Sequence, residues 1–191
     1  MSYKWMYKRF VSILLRPSQT WEEIAREDEG VDVLSSYFYP LMGLAGLVSF
    51  IAYFVVGYVG DASQPFALFK DAIIGCCVTC VPVFLSFFVS AFVLGKVARS
   101  LFGVVVAQSD IYRLLGYSMT VLFVTYTVLA FPIDFKILVW LCQVYTIFLV
   151  WEGCGRLFDF DDNRRLVFTV MAFLSEVVVA GGIYYLFCKF M

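Results

Sequence analysis

Polar and apolar positions divide this chain into long uncharged runs joined by short charged segments. Five runs stand out, at about 36–59, 72–95, 114–133, 137–151 and 166–188, the last with one acid inside it. A helix that crosses the hydrocarbon of a bilayer needs about 20 mostly apolar residues. The fourth run is the shortest. At a rise of 1.5 Å per residue it covers about 22 Å, with Lys136 and Glu152 at its ends and Lys136 able to snorkel. Pro82 removes a backbone donor from the second run, so a kink is expected there. The segment 132–136, "PIDFK", leaves room only for a tight hairpin between the third and fourth runs. Tyr37, Tyr39, Tyr58, Trp140, Trp151, Tyr184 and Tyr185 flank the run ends, where amphipathic rings favour the membrane interface.

The opening is patterned differently. Residues 3–15, "YKWMYKRFVSILL", mix Lys4, Lys8 and Arg9 with Trp5, Met6, Phe10, Ile13 and Leu14 at helical spacing. The segment is too short and too charged to span. It reads as an amphipathic helix lying on the inner leaflet through Trp5 and Phe10, its cations near anionic headgroups. Pro17 is expected to end it, because the residue before a proline avoids helical backbone angles. Thr20 and Glu23 have the spacing of a capping box, which predicts a second short helix with Trp21 and Ile24 turned inward and Gly30 as its stop. The competing reading is a disordered acidic segment. The expected organisation is a cytoplasmic helical cuff over residues 1–35 and a five-span membrane domain over 36–191.

Composition turns these runs from candidate core helices into candidate spans. The chain of 191 residues is 62% hydrophobic and 15% charged, with a mean hydropathy of +0.88. A soluble domain is nearer half apolar and a quarter charged, and one core of this length cannot hide so much apolar surface. The expected class is an all-α polytopic membrane bundle. A formal net charge of −1 argues against nucleic acid as a partner. Cation placement sets the orientation. With the N-terminus inside, eleven Lys and Arg fall in inner segments and three, Lys70, Lys136 and Lys189, in outer ones. The positive-inside rule then predicts N-terminus in and C-terminus out. No cleavable leader is expected, since the first apolar run starts more than thirty residues in and is too long for one.

Candidate chemistry narrows quickly. The chain has no histidine, which removes His-activated nucleophiles and His-ligated metals. Cys76, Cys77, Cys80, Cys142 and Cys188 lie in apolar runs, with Cys154 in a polar connection; small packing residues account for them better than a disulfide framework. Cys77 and Cys80 have CxxC spacing but lack two further ligands. Asp159 to Asn163, "DFDDN", copies the start of a calcium loop, but Arg164 stands where glycine is required and Val170 where a bidentate glutamate is required. A solvated turn, with Arg156, Arg164 and Arg165 balancing the acids, is the expected reading. Glu22 and Glu23 have no partner base. No catalytic residue and no cofactor is expected.

Glu176 stands apart, about ten residues into the last run and near mid-membrane. An acid at that depth costs about 3 kcal/mol to insert and usually faces the protein interior. Ala172, Ser175 and Ala180 give it a small-residue face for close helix contact, and Gln143 lies at similar depth as its expected hydrogen-bond partner. Three readings stay open: polar glue between helices, a proton or solute site, or a lipid-facing side chain.

A membrane-surface helix, then Pro17 to Ile24, "PSQTWEEI", then a proline-containing first span resembles bacterial members of the Yip (YIPF-type, Ypt/Rab-interacting) membrane domain family. Leu114 to Ser118, "LLGYS", resembles that family's Gly-Tyr-Ser motif at the start of the third span, here Gly116, Tyr117 and Ser118. The resemblance implies five spans, an inward N-terminus in a bacterial cytoplasmic membrane, and Pro17 and Trp21 as family-like positions. For eukaryotic relatives it implies Rab binding; their Asp-Leu-Tyr-Gly-Pro motif is not found here, and no proline follows Ser118 before Pro132. The expected function is a non-catalytic membrane-organising or protein-interaction module touching lipids and inner-leaflet headgroups. The alternative is a small transporter or lipid-handling protein that uses Glu176.

Overall fold

The computed structural model describes residues 3–27, 32–60, 65–129, 131 and 136–190. All regular structure among them is helical: α1 (Tyr3–Leu15), α2 (Pro17–Arg26), a π-helical turn (Leu34–Phe38), α3 (Tyr39–Gly60), α4 (Pro65–Phe102), α5 (Gln108–Ser118), α6 (Thr120–Leu129), α7 (Lys136–Leu157) and α8 (Asp162–Phe190).

Pro17 separates the first two helices as its chemistry requires. It also opens α2 from the first helical position, where a missing N–H costs nothing. That early start overturns the expected capping box. Thr20 lies inside α2 and its hydroxyl donates to the Arg16 carbonyl at 2.8 Å. Glu23 pairs with Arg9 at 3.2 Å instead of reaching back to a cap. Trp21 and Ile24 do turn inward, both fully buried in the bundle core. Gly30, the expected stop, lies outside the described residues.

The chain enters the first long helix through the π-helical turn, in which the Tyr39 N–H bonds the Leu34 carbonyl. Pro40 follows at once. It offers no N–H to the Ser36 carbonyl and its ring crowds that position, so a turn widened by one residue is the natural accommodation. α3 packs along α4, and α4 along α8; α7 packs against α8 and also against α2, α5 and α6. Where α3 crosses α4, the bare backbone of Gly46 faces the thiols of Cys76 and Cys80, the nearer 2.5 Å from where a Cβ would stand. α4 runs unbroken through Pro82. It stops at Gly103, whose φ of +65° suits a residue without a Cβ.

Three helices are long and apolar enough to cross a membrane by the described residues: Leu34–Val56, Phe66–Phe102 and Asp162–Ile183. They match the expected first, second and fifth spans. α7, at 22 residues, is about 33 Å long. The expected third span, 114–133, is not one helix. α5 ends at Ser118 and α6 restarts at Thr120 for ten residues, so neither half crosses a bilayer alone.

Two further expectations are corrected by burial. Tyr37 is not an interface anchor, because it is fully buried in the core. Trp5 and Phe10 pack partly against that core, and Arg9 on the same helix, expected near headgroups, is only 7% exposed. Tyr39 and Tyr185 do stay exposed.

Candidate functional site

The break between α5 and α6 lies in the middle of the bundle, and its backbone is satisfied locally. The Met119 N–H bonds the Leu115 carbonyl at 3.0 Å and the Phe123 N–H bonds the Met119 carbonyl at 3.1 Å. Hydroxyls on either side supply the rest. Thr120 donates to the Tyr117 carbonyl at 2.7 Å. With its proton so engaged, it accepts from the Tyr37 hydroxyl at 2.7 Å. Serine and threonine offer such local bonds in competition with the helix ladder, and here they flank the residue at which α5 gives way to α6.

Ser118, the last residue of α5, donates to Glu176 Oε1 of α8 at 2.6 Å. Both side chains are fully buried. The expected partner of Glu176 was Gln143; the hydrogen bond goes to Ser118 instead. Gln143 Oε1 and Glu176 Oε2 are each buried without a hydrogen-bond partner among the described residues.

The remaining family-like positions converge on the same junction. A Cβ at Gly116 would stand 3.0 Å from Val33 Cγ2, so glycine admits the entry to the first span. The Tyr117 ring lies 4.8 Å from the Tyr37 ring and 5.9 Å, edge to face, from the Trp21 indole. Trp21 in turn lies over the bare backbone of Gly153 on α7, where a Cβ would meet its Cζ2 at 2.7 Å and Leu114 Cδ1 at 2.6 Å. The indole N–H is buried without a partner among the described residues. Pro17 acts at one remove, by starting the helix that carries Trp21.

Electrostatics holds the cuff over this junction. The Arg9 guanidinium lies above the Trp5 and Tyr117 rings at 5.3 and 5.9 Å and pairs with Glu23 and Glu27 of the following helix. Burial pushes the Glu27 carboxyl above its ordinary range, with Arg9 and Arg113 opposing the shift. Next to Glu23 in the middle of α2, Glu22 pairs with Arg156 of α7 at 3.0 Å. Arg156 therefore serves the cuff rather than the acidic turn. Arg165 likewise donates to the Trp151 carbonyl at 2.8 and 3.1 Å and stacks on that ring at 4.1 Å. The Arg164 side chain lies 3.8 Å from Asp161 of the turn.

Sequence reasoning found Trp21, Tyr117, Ser118 and Glu176 and missed Arg9, Tyr37, Thr120 and Gly153. Ser118 and Thr120 flanking one residue in an apolar run were the available sign of the break. Cys76, Cys77, Cys80, Cys142 and Cys154 are free thiols, and no group of three or more metal-ligating side chains occurs among the described residues.

No curated protein and no solved structure matches the chain significantly. A family model, the Yip1 domain, matches residues 11–191, a stretch that takes in α2, the α5–α6 junction and Glu176. With helices fit to cross a membrane and a match over nearly its whole length, the chain is an integral membrane protein and belongs to the Yip1 domain family.

Proposed function

We propose that this chain is a five-span, non-catalytic module of the bacterial cytoplasmic membrane that organises membrane or partner proteins. In this reading residues 1–35 form the cytoplasmic cuff and 36–191 the membrane domain, with the N-terminus inside and the C-terminus outside. α5 and α6 together make the third span and α7 the fourth. The observation that carries the reading is the fully buried Ser118–Glu176 bond. The one acid in α8's apolar stretch joins two helices at a sealed junction, and the cuff is fastened over that junction through Trp21 and Arg9.

Glu176→Gln keeps shape and an acceptor for Ser118, so the variant should melt in detergent within about 0.6 kcal/mol of the parent and complement a deletion strain fully. Glu176→Leu leaves Ser118 without its partner and should melt lower while retaining function in proportion to folded protein. One observation favours the second reading, a small transporter or lipid-handling protein: Glu176 Oε2 has no partner among the described residues and is free to take a proton or a solute donor. Under that reading both variants fold and neither complements.

A further inference from the structure

Trp5, Lys8, Arg9 and Ser12 follow the i, i+3, i+4, i+7 spacing of one helix face. With Glu23 of α2 they line a cleft of about 60 Å³ between the two cuff helices. At about 15 Å³ for each water-sized position it has room for about four waters, or for one phosphate-sized group. The cleft carries charge of both signs. Arg9, 7% exposed, spends two of its five donors on Glu23 and Glu27. Lys8 is exposed, and neither its ammonium nor the Ser12 hydroxyl has a partner among the described residues. Glu23 holds Arg9 through Oε2 while its side chain stays 69% exposed, so its second oxygen is left for another donor.

A purely anionic ligand would meet the Glu23 carboxylate here, and a purely cationic one would meet Lys8 and Arg9. A ligand with both a phosphate and an ammonium satisfies the whole cleft. Its phosphate oxygens accept from Lys8, Ser12 and Arg9, and its ammonium donates to Glu23. The outer side of α1 says where such a ligand comes from. Tyr7, Val11 and Leu15 form a stripe at four-residue steps, with Tyr7 and Leu15 67% and 75% exposed. Leu15 stands one turn beyond Ser12 and two turns beyond Lys8, so this apolar stripe borders the cleft. Aromatic and aliphatic side chains beside cations suit the headgroup layer of a membrane.

We propose that the cleft between α1 and α2 binds the zwitterionic headgroup of an ethanolamine phospholipid from the leaflet on the cuff's side, with the lipid's apolar part against Tyr7, Val11 and Leu15. The ammonium sets this ligand apart from other phospholipids. Phosphatidylglycerol has no cation for Glu23, and the methylated nitrogen of phosphatidylcholine has no N–H to donate. The proposal rests on membrane insertion and is independent of the role of Glu176.

The test is native mass spectrometry of the delipidated full-length protein, titrated with dioleoyl phosphatidylethanolamine, phosphatidylglycerol or phosphatidylcholine. The parent should retain one phosphatidylethanolamine at activation energies that strip the other two. Lys8→Gln and Ser12→Ala should each weaken its binding about fivefold. Glu23→Gln should abolish the preference over phosphatidylglycerol. Glycerophosphoethanolamine, the same headgroup without chains, should not compete at equal concentration; competition at equal strength assigns the cleft to a soluble zwitterion and overturns the lipid. Equal retention of the three lipids by the parent, or stronger retention of phosphatidylglycerol, overturns the proposal. So does unchanged phosphatidylethanolamine binding in Lys8→Gln and Ser12→Ala variants that keep the parental helicity and melting temperature.

Discussion

At the scale of single residues, the molecule shows how burial reverses the usual reading of a side chain. Arg9 sits on a helix whose pattern assigns its cations to headgroups, yet it is buried, stacked on two rings and paired with two acids. Removing Arg9 leaves Glu27, 22% exposed, without its partner and empties the space beside two rings; because Glu23 is 69% exposed, the cost stays below the about 3–5 kcal/mol of a fully buried pair. Arg9→Gln is therefore expected to loosen the cuff markedly. Glu27→Gln should cost much less, because burial already works against the charged form of Glu27. Protease protection of the cuff in detergent compares the two; equal loss would show that the pair does not act as described. Gly153 makes a second case. A methyl group there enters the Trp21 indole and Leu114. Trp21 is fully buried, so the ring cannot swing aside cheaply. Gly153→Ala should lower stability by about 1–3 kcal/mol, read as a lower melting temperature. An unchanged value would mean that α2 can shift without cost.

Secondary-structure elements were legible from the sequence where one local rule governs them. Pro17 ends α1 and begins α2 because a missing N–H and a fixed φ act within a turn. The first, second and fifth apolar runs became long helices because length and hydropathy are sums over many residues. The break at Met119 left only a faint sign, Ser118 and Thr120 on either side of it. It lies in a run whose apolar character continues on both sides, and the groups that stabilise it arrive from elsewhere: Tyr37 from the π-helical turn and Glu176 from α8. The same holds for the candidate site. Its residue types were visible along the chain, but the Gln143 pairing rested on similar depth alone; α7 and α8 are both uninterrupted, and it is Ser118 of α5 that lies against Glu176. The pairing that replaced it can be measured. Ser118→Ala leaves Glu176 with neither oxygen partnered and should destabilise by about 1–3 kcal/mol. A double-mutant cycle of Ser118→Ala with Glu176→Leu should show a coupling of about 0.6 kcal/mol, up to about 1.7. Additive losses would contradict a direct bond between α5 and α8.

On the scale of the whole molecule, the account joins a cuff to a bundle through one junction. The aromatic stack of Trp21, Tyr117 and Tyr37 crosses from α2 through α5 to the entry of the first span. The Ser118 hydrogen bond continues that connection into α8. The number of crossings decides how this assembly sits in the membrane. With five, α5 and α6 pass through together and the segment between α6 and α7 emerges opposite the cuff. With only Leu34–Val56, Phe66–Phe102 and Asp162–Ile183 crossing, everything from α5 to the start of α8 stays on the cuff's side. Phe131, 41% exposed at the end of α6, separates these arrangements. In a cysteine-free background, Phe131→Cys should react with a membrane-impermeant maleimide in intact cells. Asp161→Cys, in the turn before α8, should react only after permeabilisation. Protection of Phe131→Cys until the cells are opened would contradict the five-span arrangement with its cuff inside.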